Sequence, residues 1–461
     1  MKNIDSSLIL KILSLLLLLR LNQQQQHGIY KTSIRMSKRA LSRRKKKRIP
    51  WEYVDSMLNA RQFRRMFRMT RECFHLLCEK MKITVGESEF KSEAYINAFL
   101  NKKGSIYNAN CETTGGFISG EVKMGITIRL LAGGDPLDIA VIFDVSPSHT
   151  KTIMYDVITN WIIPSKVGDI DIKSYLEDEE AMARVSKGFS LRSNGVLTGA
   201  IGAIDGWLVK IIRPSWRLDR VRNPVAFFSR KGFFALNVQC IVDHDKKVLW
   251  ASYRHKGASH DSSAFRDTKL YNLFKQKAEW LHGKGFYLLG DSAYAIESFI
   301  LPPYPLVKPQ SPEDSFNFYH SSARITVECA FGEIDLRWGV FWKRLTGAVD
   351  NSFIIIEGAM RLHNFLIDYR QDNVNEIRND LNADMTNFMS TNDDIGNMPG
   401  VVVNDNRRPR GRISYDERQR RIQGLEIRDR LRQAFIDHNM HRPLHDSNDW
   451  EYDSNNHVIR T

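Results

Sequence analysis

Cysteine is scarce in this 461-residue chain, and its placement excludes two classes of protein. The five cysteines are Cys73, Cys78, Cys111, Cys240 and Cys329. An odd number without a C-x-x-C pair argues against the disulfide framework of a small secreted protein and against a zinc site built from thiolates. We therefore expect free thiols in a reducing compartment.

Long hydrophobic runs are also scarce. The main one, residues 8–21, contains Lys11 and Arg20, and it is shorter than the ~20 residues needed to cross a bilayer. No small-residue cleavage site precedes the glutamine run at 23–26, which disfavours a secretory signal peptide. We expect residues 1–28 to be an unstructured leader or the product of a mis-set start codon. We expect no association with a membrane.

Acidic residues are outnumbered by basic ones, 53 to 67, so the chain carries a net charge of +14. Such an excess favours a polyanionic partner. It is concentrated between Lys31 and Arg68, where 14 basic residues accompany only two acids. The densest part is a block of six consecutive cations: Arg43, Arg44, Lys45, Lys46, Lys47 and Arg48. This basic block is typical of a nuclear-import signal or a DNA-binding arm, with a solvated tail as the alternative. We predict location in the nucleus and contact with DNA.

Composition and periodicity divide the chain into successive parts. These are a disordered leader with a basic arm (1–50), a helical region (51–165), a charged connector (165–190), an α/β domain (190–370) and a mostly disordered tail (371–461) with a helix near 415–438. Within the α/β domain, apolar segments predict strands at 197–212, 233–242, 248–253 and 286–289, and helices at 263–276, 322–344 and 353–369. This order of elements predicts a mixed sheet flanked by helices.

Residues 121–163 of the helical region have the pattern of a helix-turn-helix. Two short helical patterns are followed by a third, for which Ser146 is the expected N-cap and Pro147 the first helical residue. In a helix-turn-helix the start of this helix contacts DNA, which makes His149 and Lys151 candidate contacts. An ordinary three-helix cap fits the same pattern equally well.

Three acids interrupt apolar surroundings in the α/β domain: Asp205 in GAIDGW, Asp291 in LLGDSAY and Glu328 in ITVECAF. A buried carboxylate is costly unless it is paired, hydrogen-bonded or metal-bound. Three convergent carboxylates repel one another, and two divalent cations ~3.5–4 Å apart remove that cost and support phosphoryl displacement. Oxygen ligands suit Mg²⁺, with Mn²⁺ as a substitute. Any single aspartate in a strand is more often a turn or cap residue, so the hypothesis depends on all three acids.

The acids and the segments around them resemble the PIF/Harbinger transposases and the Harbinger-transposase-derived nucleases. The matching segments are GAIDGWLVKI, RKGFFALNVQCIVDHDKKVLWA, GASHDSSAF, LLGDSAY, HSSARITVECAFGEIDLRW and RLHNFL. The resemblance spans about residues 121–370. It implies an RNase H-like DDE catalytic domain, with Asp205 on strand one, Asp291 after strand four and Glu328 on the next helix. It further implies an all-α helix-turn-helix-like region before that domain and a separately encoded Myb-like partner. A homo-oligomer is a further candidate partner.

Other residues carry weaker predictions. Arg230 and Lys231 are candidate contacts to the DNA backbone. Arg324 lies four residues before Glu328 on the same helix face, so it either orients that carboxylate, holds a scissile phosphate or makes a surface salt bridge.

Two further residues lie beside the expected acids. Asp261 is expected to cap the helix that follows it. Trp207 departs from the small or polar residue common in the family after the first aspartate, and we expect it to narrow the metal site.

Two functions follow from these observations. The first is a metal-dependent transposase or nuclease that cuts DNA at the terminal inverted repeats of its own element and joins the ends to target DNA. The second is a domesticated derivative that binds DNA without cutting it. The intact set of three acids favours the first. A metal-dependent small-molecule hydrolase fits the carboxylates but not the basic block or the helix-turn-helix pattern.

Overall fold

A computed structural model of the chain describes residues 49–90, 117–369 and 414–443, and the backbone of 451–452 and 458–459. The leader and the basic block Arg43–Arg48 lie outside these residues. The described residues 50–90, and those from 119 onward, belong to one compact unit. Within it, no helix is long and apolar enough to cross a membrane.

A five-stranded mixed sheet forms the centre of the fold. Its strands are β1 (Ala200–Lys210), β2 (Ala235–Val242), β3 (Val248–Lys256), β4 (Tyr287–Leu289) and β5 (Ile300–Leu301). They lie in the order β3-β2-β1-β4-β5. The first three strands are antiparallel neighbours, whereas β4 is parallel to β1 and β5 is parallel to β4. The predictions of β1 to β4 are confirmed, while β5 was not predicted because it borders a proline-rich passage.

Three helices begin the described chain: α1 (Trp51–Ser56), α2 (Ala60–Phe67) and α3 (Arg71–Val85). Their shared core is aromatic, since Trp51 stacks on Phe74 with ring centroids 4.4 Å apart and also contacts Phe63. The predicted helical character of this region is confirmed.

The predicted helix-turn-helix segment consists of α4 (Gly120–Leu131), α5 (Pro136–Ile142) and α6 (Pro147–Val157), the last continued by a π-helical turn at Ile158–Ile162. Ser146 is the N-cap residue of α6 and Pro147 its first residue, as predicted. The turn before it contains Asp144 in the left-handed region, with φ 48. Helix, short helix, tight turn and helix therefore follow in the predicted order.

The charged connector predicted for 165–190 is wrong. This stretch forms α7 (Ile172–Tyr175) and α8 (Glu179–Ser190). The charges of α8 lie on one side, while Met182, Val185 and Phe189 are buried. Their spacing of three and four residues is that of an amphipathic helix packed on a core.

The remaining helices are α9 (Trp216–Asp219), α10 (Asp261–Arg266), α11 (Lys269–Gln276), α12 (Ala278–Lys284), α13 (Pro312–Arg337), α14 (Val349–Asp368) and α15 (Tyr415–Asp437). The single helix predicted at 263–276 is divided, because the Thr268 side chain accepts the N–H of Tyr271 and starts α11. Helix α13 begins earlier than predicted, at Pro312, because the Ser311 side chain caps it. The predicted tail helix is confirmed as α15.

The RLHNFL segment has a structural role in α14. Asn364 lies fully buried, its Oδ1 accepts the N–H of Val248 at 2.8 Å, and its Nδ2 donates to the carbonyl of Val248 at 2.8 Å. His363 contacts the carbonyl of Lys246 at 3.0 Å. These bonds attach the start of β3 to α14.

We predict that Asn364→Leu lowers the free energy of unfolding by about 3 kcal/mol, because two buried backbone groups of Val248 lose their partner. Urea unfolding of both proteins measures the difference. The matched control is Asn160→Ala, which removes an exposed amide and should change stability by less than about 0.5 kcal/mol. Equal effects of the two substitutions would contradict this role.

Candidate active site

Two of the predicted acids, Asp205 and Asp291, lie at equivalent positions relative to the pairing of two neighbouring parallel strands. The pairing of β1 with β4 aligns Ala203 with Leu289. Asp205 is two residues beyond Ala203, and Asp291 is two residues beyond Leu289. Asp205 lies within β1 and Asp291 just beyond the end of β4, so the parallel pairing brings the two acids to neighbouring positions. The charge of Asp291 is near enough to raise the pKa of Asp205.

Asp205 lies in surroundings that disfavour its charge. Its side chain is only 18% exposed, and it is paired across the sheet with buried Cys240. Burial raises the pKa of Asp205 to about 6, despite the N–H of Gly206 donating to its Oδ1 at 2.7 Å and the nearby Arg324. A carboxyl group whose pKa is raised by burial is typical of functional sites.

Arg324 connects Asp205 to the third predicted acid. Its Nη1 donates to Asp205 Oδ2 at 3.2 Å, and its Nη2 donates to Glu328 Oε1 at 2.6 Å. The predicted salt bridge along the helix is therefore present, whereas the contact with β1 was not predicted. The guanidinium places a positive charge between two carboxylates that come from different elements.

Glu328 is not in the apolar environment predicted from its sequence neighbours. Its side chain is 50% exposed. Successive residues of a helix point about 100° apart, so Val327 and Phe331 are buried while Glu328 faces solvent. Its exposure leaves this carboxylate accessible to a ligand.

Trp207 packs the helix α13 against the sheet. It lies two residues after Asp205, and its ring is stacked on Phe331, with centroids 5.8 Å apart, and meets Phe341 edge-on at 5.0 Å. Its side chain also forms a hydrogen bond with Asp335. These contacts account for the large residue at this position, and they fix the helix that carries Glu328.

Asp261 has a different role from the helix cap predicted for it. It is the first residue of α10, and His260 is the N-cap. Its Oδ1 accepts the side-chain amides of Asn237 and Gln239, each at 2.9 Å. The charge of Asp261 adds to the rise in the pKa of Asp205.

Gly206 is required by this arrangement, since a Cβ at position 206 would collide with the Asp261 carboxylate. Asn237 and Gln239 were missed in the sequence. In the sequence they can be recognised as two polar residues, two positions apart, within an otherwise apolar strand.

A pocket of about 100 Å³ adjoins Gly206. Arg230 and Lys231, the predicted DNA contacts, line it together with Asn237 and Asp261. Both cations are exposed. The structure therefore brings this basic pair next to the residue that follows Asp205.

The other predicted DNA contacts are only partly described. His149 and Lys151 are exposed at the start of α6, where the helix-turn-helix pattern places them. The basic block Arg43–Arg48 lies outside the described residues.

The side chains around Asp205 suit a hard divalent cation in type, because they are carboxylates. A cation, the Arg324 guanidinium, already lies between Asp205 and Glu328. Across the described ranges, no three Asp, Glu, His or Cys side chains are close enough together to hold one metal ion. The three acids are therefore suitable donors by type but do not surround one point in this structure, and the Arg324 guanidinium contacts two of them.

Comparison with known proteins shows what this region is similar to. Residues 204–364 match the model of the DDE superfamily endonuclease family. The chain is 21% identical over 329 residues to "Protein ALP1-like" of Arabidopsis thaliana. The aligned region covers 68% of this chain and 72% of that protein. Both matches confirm the resemblance to a Harbinger-type DDE transposase family. No solved structure matches the chain.

The burial of Asp205 predicts a pH dependence of stability. Because burial raises its pKa from 3.8 to about 6, the folded protein binds more protons than the unfolded chain between these values. This contribution to stability is present at low pH and lost as pH rises through about 6. Asp205→Asn should therefore raise the free energy of unfolding near pH 8 by roughly 2–3 kcal/mol, and by much less near pH 4.

Urea unfolding in EDTA at several pH values measures this difference. Glu177→Gln, at an exposed carboxylate, is the matched control and should leave the pH dependence unchanged. A loss of stability near neutral pH in Asp205→Asn would show that burial is not the dominant influence on this group.

Proposed function

We propose that this protein is a metal-dependent DNA endonuclease, because residues 204–364 match the model of the DDE superfamily endonuclease family in a chain that resembles the Harbinger-type transposases. Its substrates would be the terminal inverted repeats of its own element and a target DNA. The observation that carries the proposal is the proximity of Asp205 and Asp291 on paired parallel strands, where the charge of Asp291 raises the pKa of Asp205.

In this proposal Asp205, Asp291 and Glu328 hold divalent cations. DDE endonuclease domains generally use such ions, and Mg²⁺ or Mn²⁺ would activate the attacking oxygen and stabilise the leaving oxygen of the phosphodiester. Asp205 and Asp291 approach from parallel strands, while Glu328 approaches from α13. The exposed Glu328 carboxylate can turn without disturbing the core.

Arg324 has two roles in the proposed mechanism. In the absence of a divalent ion it neutralises Asp205 and Glu328. When those carboxylates have another cation, its guanidinium is available to a phosphate of the bound DNA, for which its planar set of donors is suited.

We further propose that the domain has the RNase H-like fold. The supporting features are the strand order β3-β2-β1-β4-β5, the antiparallel pairing of the first three strands and the parallel pairing of β4 with β1. The acids follow the order of elements that the family resemblance implies: strand one, the end of strand four and the next long helix.

DNA binding would involve three regions. The helix-turn-helix-like segment offers His149 and Lys151, the basic block Arg43–Arg48 offers further cations, and Arg230 and Lys231 lie near Asp205. We propose location in the nucleus on the basis of the basic block. A Myb-like partner is part of the proposal through the family resemblance alone, and a homo-oligomer is a further candidate partner.

A DNA-binding derivative without cleavage activity is the second candidate. The observation that favours it is the position of Arg324, because a cation fixed between Asp205 and Glu328 would oppose the binding of a divalent ion. The two candidates differ in whether Mg²⁺ or Mn²⁺ displaces the guanidinium.

We predict that the full-length protein nicks DNA carrying its terminal repeats in Mg²⁺ or Mn²⁺ and not in EDTA. Asp291→Asn and Glu328→Gln should each lower the cleavage rate by about three orders of magnitude, since loss of a metal ligand removes several kcal/mol of transition-state stabilisation. Gel analysis of end-labelled DNA gives the cleavage sites and rates.

Glu313→Gln is the matched control, because Glu313 lies on the same helix about 22 Å of helix rise from Glu328 and pairs with Arg432. It should cleave at the normal rate. Metal-independent cutting, or cutting that survives both substitutions, would refute the endonuclease proposal. Salt-sensitive binding without cutting, even with a Myb-like partner added, would support the DNA-binding derivative.

A further inference from the structure

The segment Ile212–Lys231, which joins β1 to β2, is strongly basic. It contains one acid, Asp219, and six exposed cations: Arg213, Arg217, Arg220, Arg222, Arg230 and Lys231. Sequence reasoning selected only the last two. We call this segment the β1–β2 arm.

The charge of the arm is not balanced locally. Both carboxylate oxygens of Asp219 accept hydrogen bonds from the backbone. Its Oδ2 accepts the N–H of Ser215 at 2.8 Å, and its Oδ1 accepts the N–H of Val349 at 2.7 Å. Considering the residues that the structure describes, no carboxylate forms a salt bridge with any of the six cations. The arm therefore presents its positive charge to solvent.

Both ends of the arm are anchored. The N–H of Ile212 donates to the carbonyl of Leu345 at 3.0 Å, and at the other end the N–H of Ala258 donates to the carbonyl of Ala226 at 3.1 Å. Between them, the Ser215 side chain accepts the N–H of Leu218 and caps α9. Hydrogen bonds to the backbone therefore hold the arm in a defined conformation.

An aromatic residue stands exposed on this basic surface. Trp216, the first residue of α9, is 58% exposed, and the Arg222 guanidinium lies 5.9 Å from its ring centroid. Leu218, Val225 and Phe228 are exposed on the same segment. A group of exposed apolar residues bordered by polar ones is typical of an interaction surface.

The combination of exposed cations and an exposed aromatic ring helps to distinguish between a protein, a duplex and a single-stranded nucleic acid as the partner. Arginine and tryptophan also occur at protein–protein interfaces, but six cations without a carboxylate partner favour a polyanion over a protein surface of mixed charge. Contacts with the phosphates of an intact duplex would use the cations but not Trp216. Cations that follow a backbone beside an aromatic ring on which a base stacks are the recurring arrangement for single-stranded nucleic acid.

We propose that the β1–β2 arm binds unpaired bases of the DNA substrate, with its cations on the phosphates and Trp216 stacked on a base. This inference rests on the proposed function and specifies its substrate as DNA with a melted or single-stranded flank. Arg230 and Lys231 connect the arm to the site, because they line the pocket beside Gly206.

Fluorescence anisotropy in EDTA tests the proposal without cleavage. The probes are a labelled duplex and the same duplex with a single-stranded extension, both mixed with the full-length protein. Trp216→Ala should weaken binding to the extended DNA by about tenfold, the loss expected for one stacked base. Its affinity for the plain duplex should be unchanged.

Three further variants control for folding and charge. Trp280→Ala removes an exposed tryptophan of α12, outside the arm, and should leave both affinities unchanged. Trp216→Phe should largely restore binding, which a folding defect in Trp216→Ala would not explain. Arg217→Gln combined with Arg220→Gln should weaken binding to both DNAs and reduce the dependence of log affinity on log salt by about one unit per lost contact.

The proposal fails if Trp216→Ala binds the extended DNA as tightly as the unmodified protein, or if both arginine substitutions leave affinity unchanged. A preference of the arm for single-stranded RNA over DNA would also overturn it. Because binding is measured without a divalent ion, a protein that fails to cleave can still give the predicted result. The two proposals can therefore fail separately.

Discussion

A carboxylate within the central strand of a sheet must be balanced by a cation, and this requirement organises the candidate site. Asp205 is largely buried, and burial raises its pKa to about 6. Asp291 increases the repulsion, because the parallel register of β1 and β4 brings it to the same level. Arg324 offsets this repulsion by contacting Asp205 and Glu328 together. In the proposed function a divalent ion would meet the same need, so it would compete with the guanidinium for Asp205 and Glu328.

Strand β1 connects the features on which the proposed function depends. It carries Asp205, and two residues later Trp207, whose stacking on Phe331 fixes α13 and so positions Arg324 and Glu328. The same strand leads directly into the β1–β2 arm, with its exposed cations. The buried acid, the residue that supports α13 and the basic β1–β2 arm therefore follow one another along β1 and its continuation, and a shift in the register of β1 would disturb all three.

Much of this fold could be predicted from sequence because its signals are local. Apolar runs gave β1 to β4, and the Ser146-Pro147 pair gave the start of α6. The predictions that failed depended on three-dimensional contacts. The charges of α8 conceal its apolar stripe, so the sequence pattern there predicts a connector. The apolar neighbours of Glu328 in the sequence predict a buried side chain, but they lie on a different face of the helix. The contact of Arg324 with β1 has no sequence signal, since it joins residues 119 positions apart.

Anomalous scattering from crystals of the protein grown with Mn²⁺ is the most direct test of the claim that one cation site is built from these acids. The account predicts a manganese peak within ligand distance of the carboxylates of Asp205, Asp291 and Glu328, with the Arg324 guanidinium withdrawn from Asp205. Crystals in which Arg324 still joins Asp205 to Glu328 and manganese is bound elsewhere, or not at all, would contradict it.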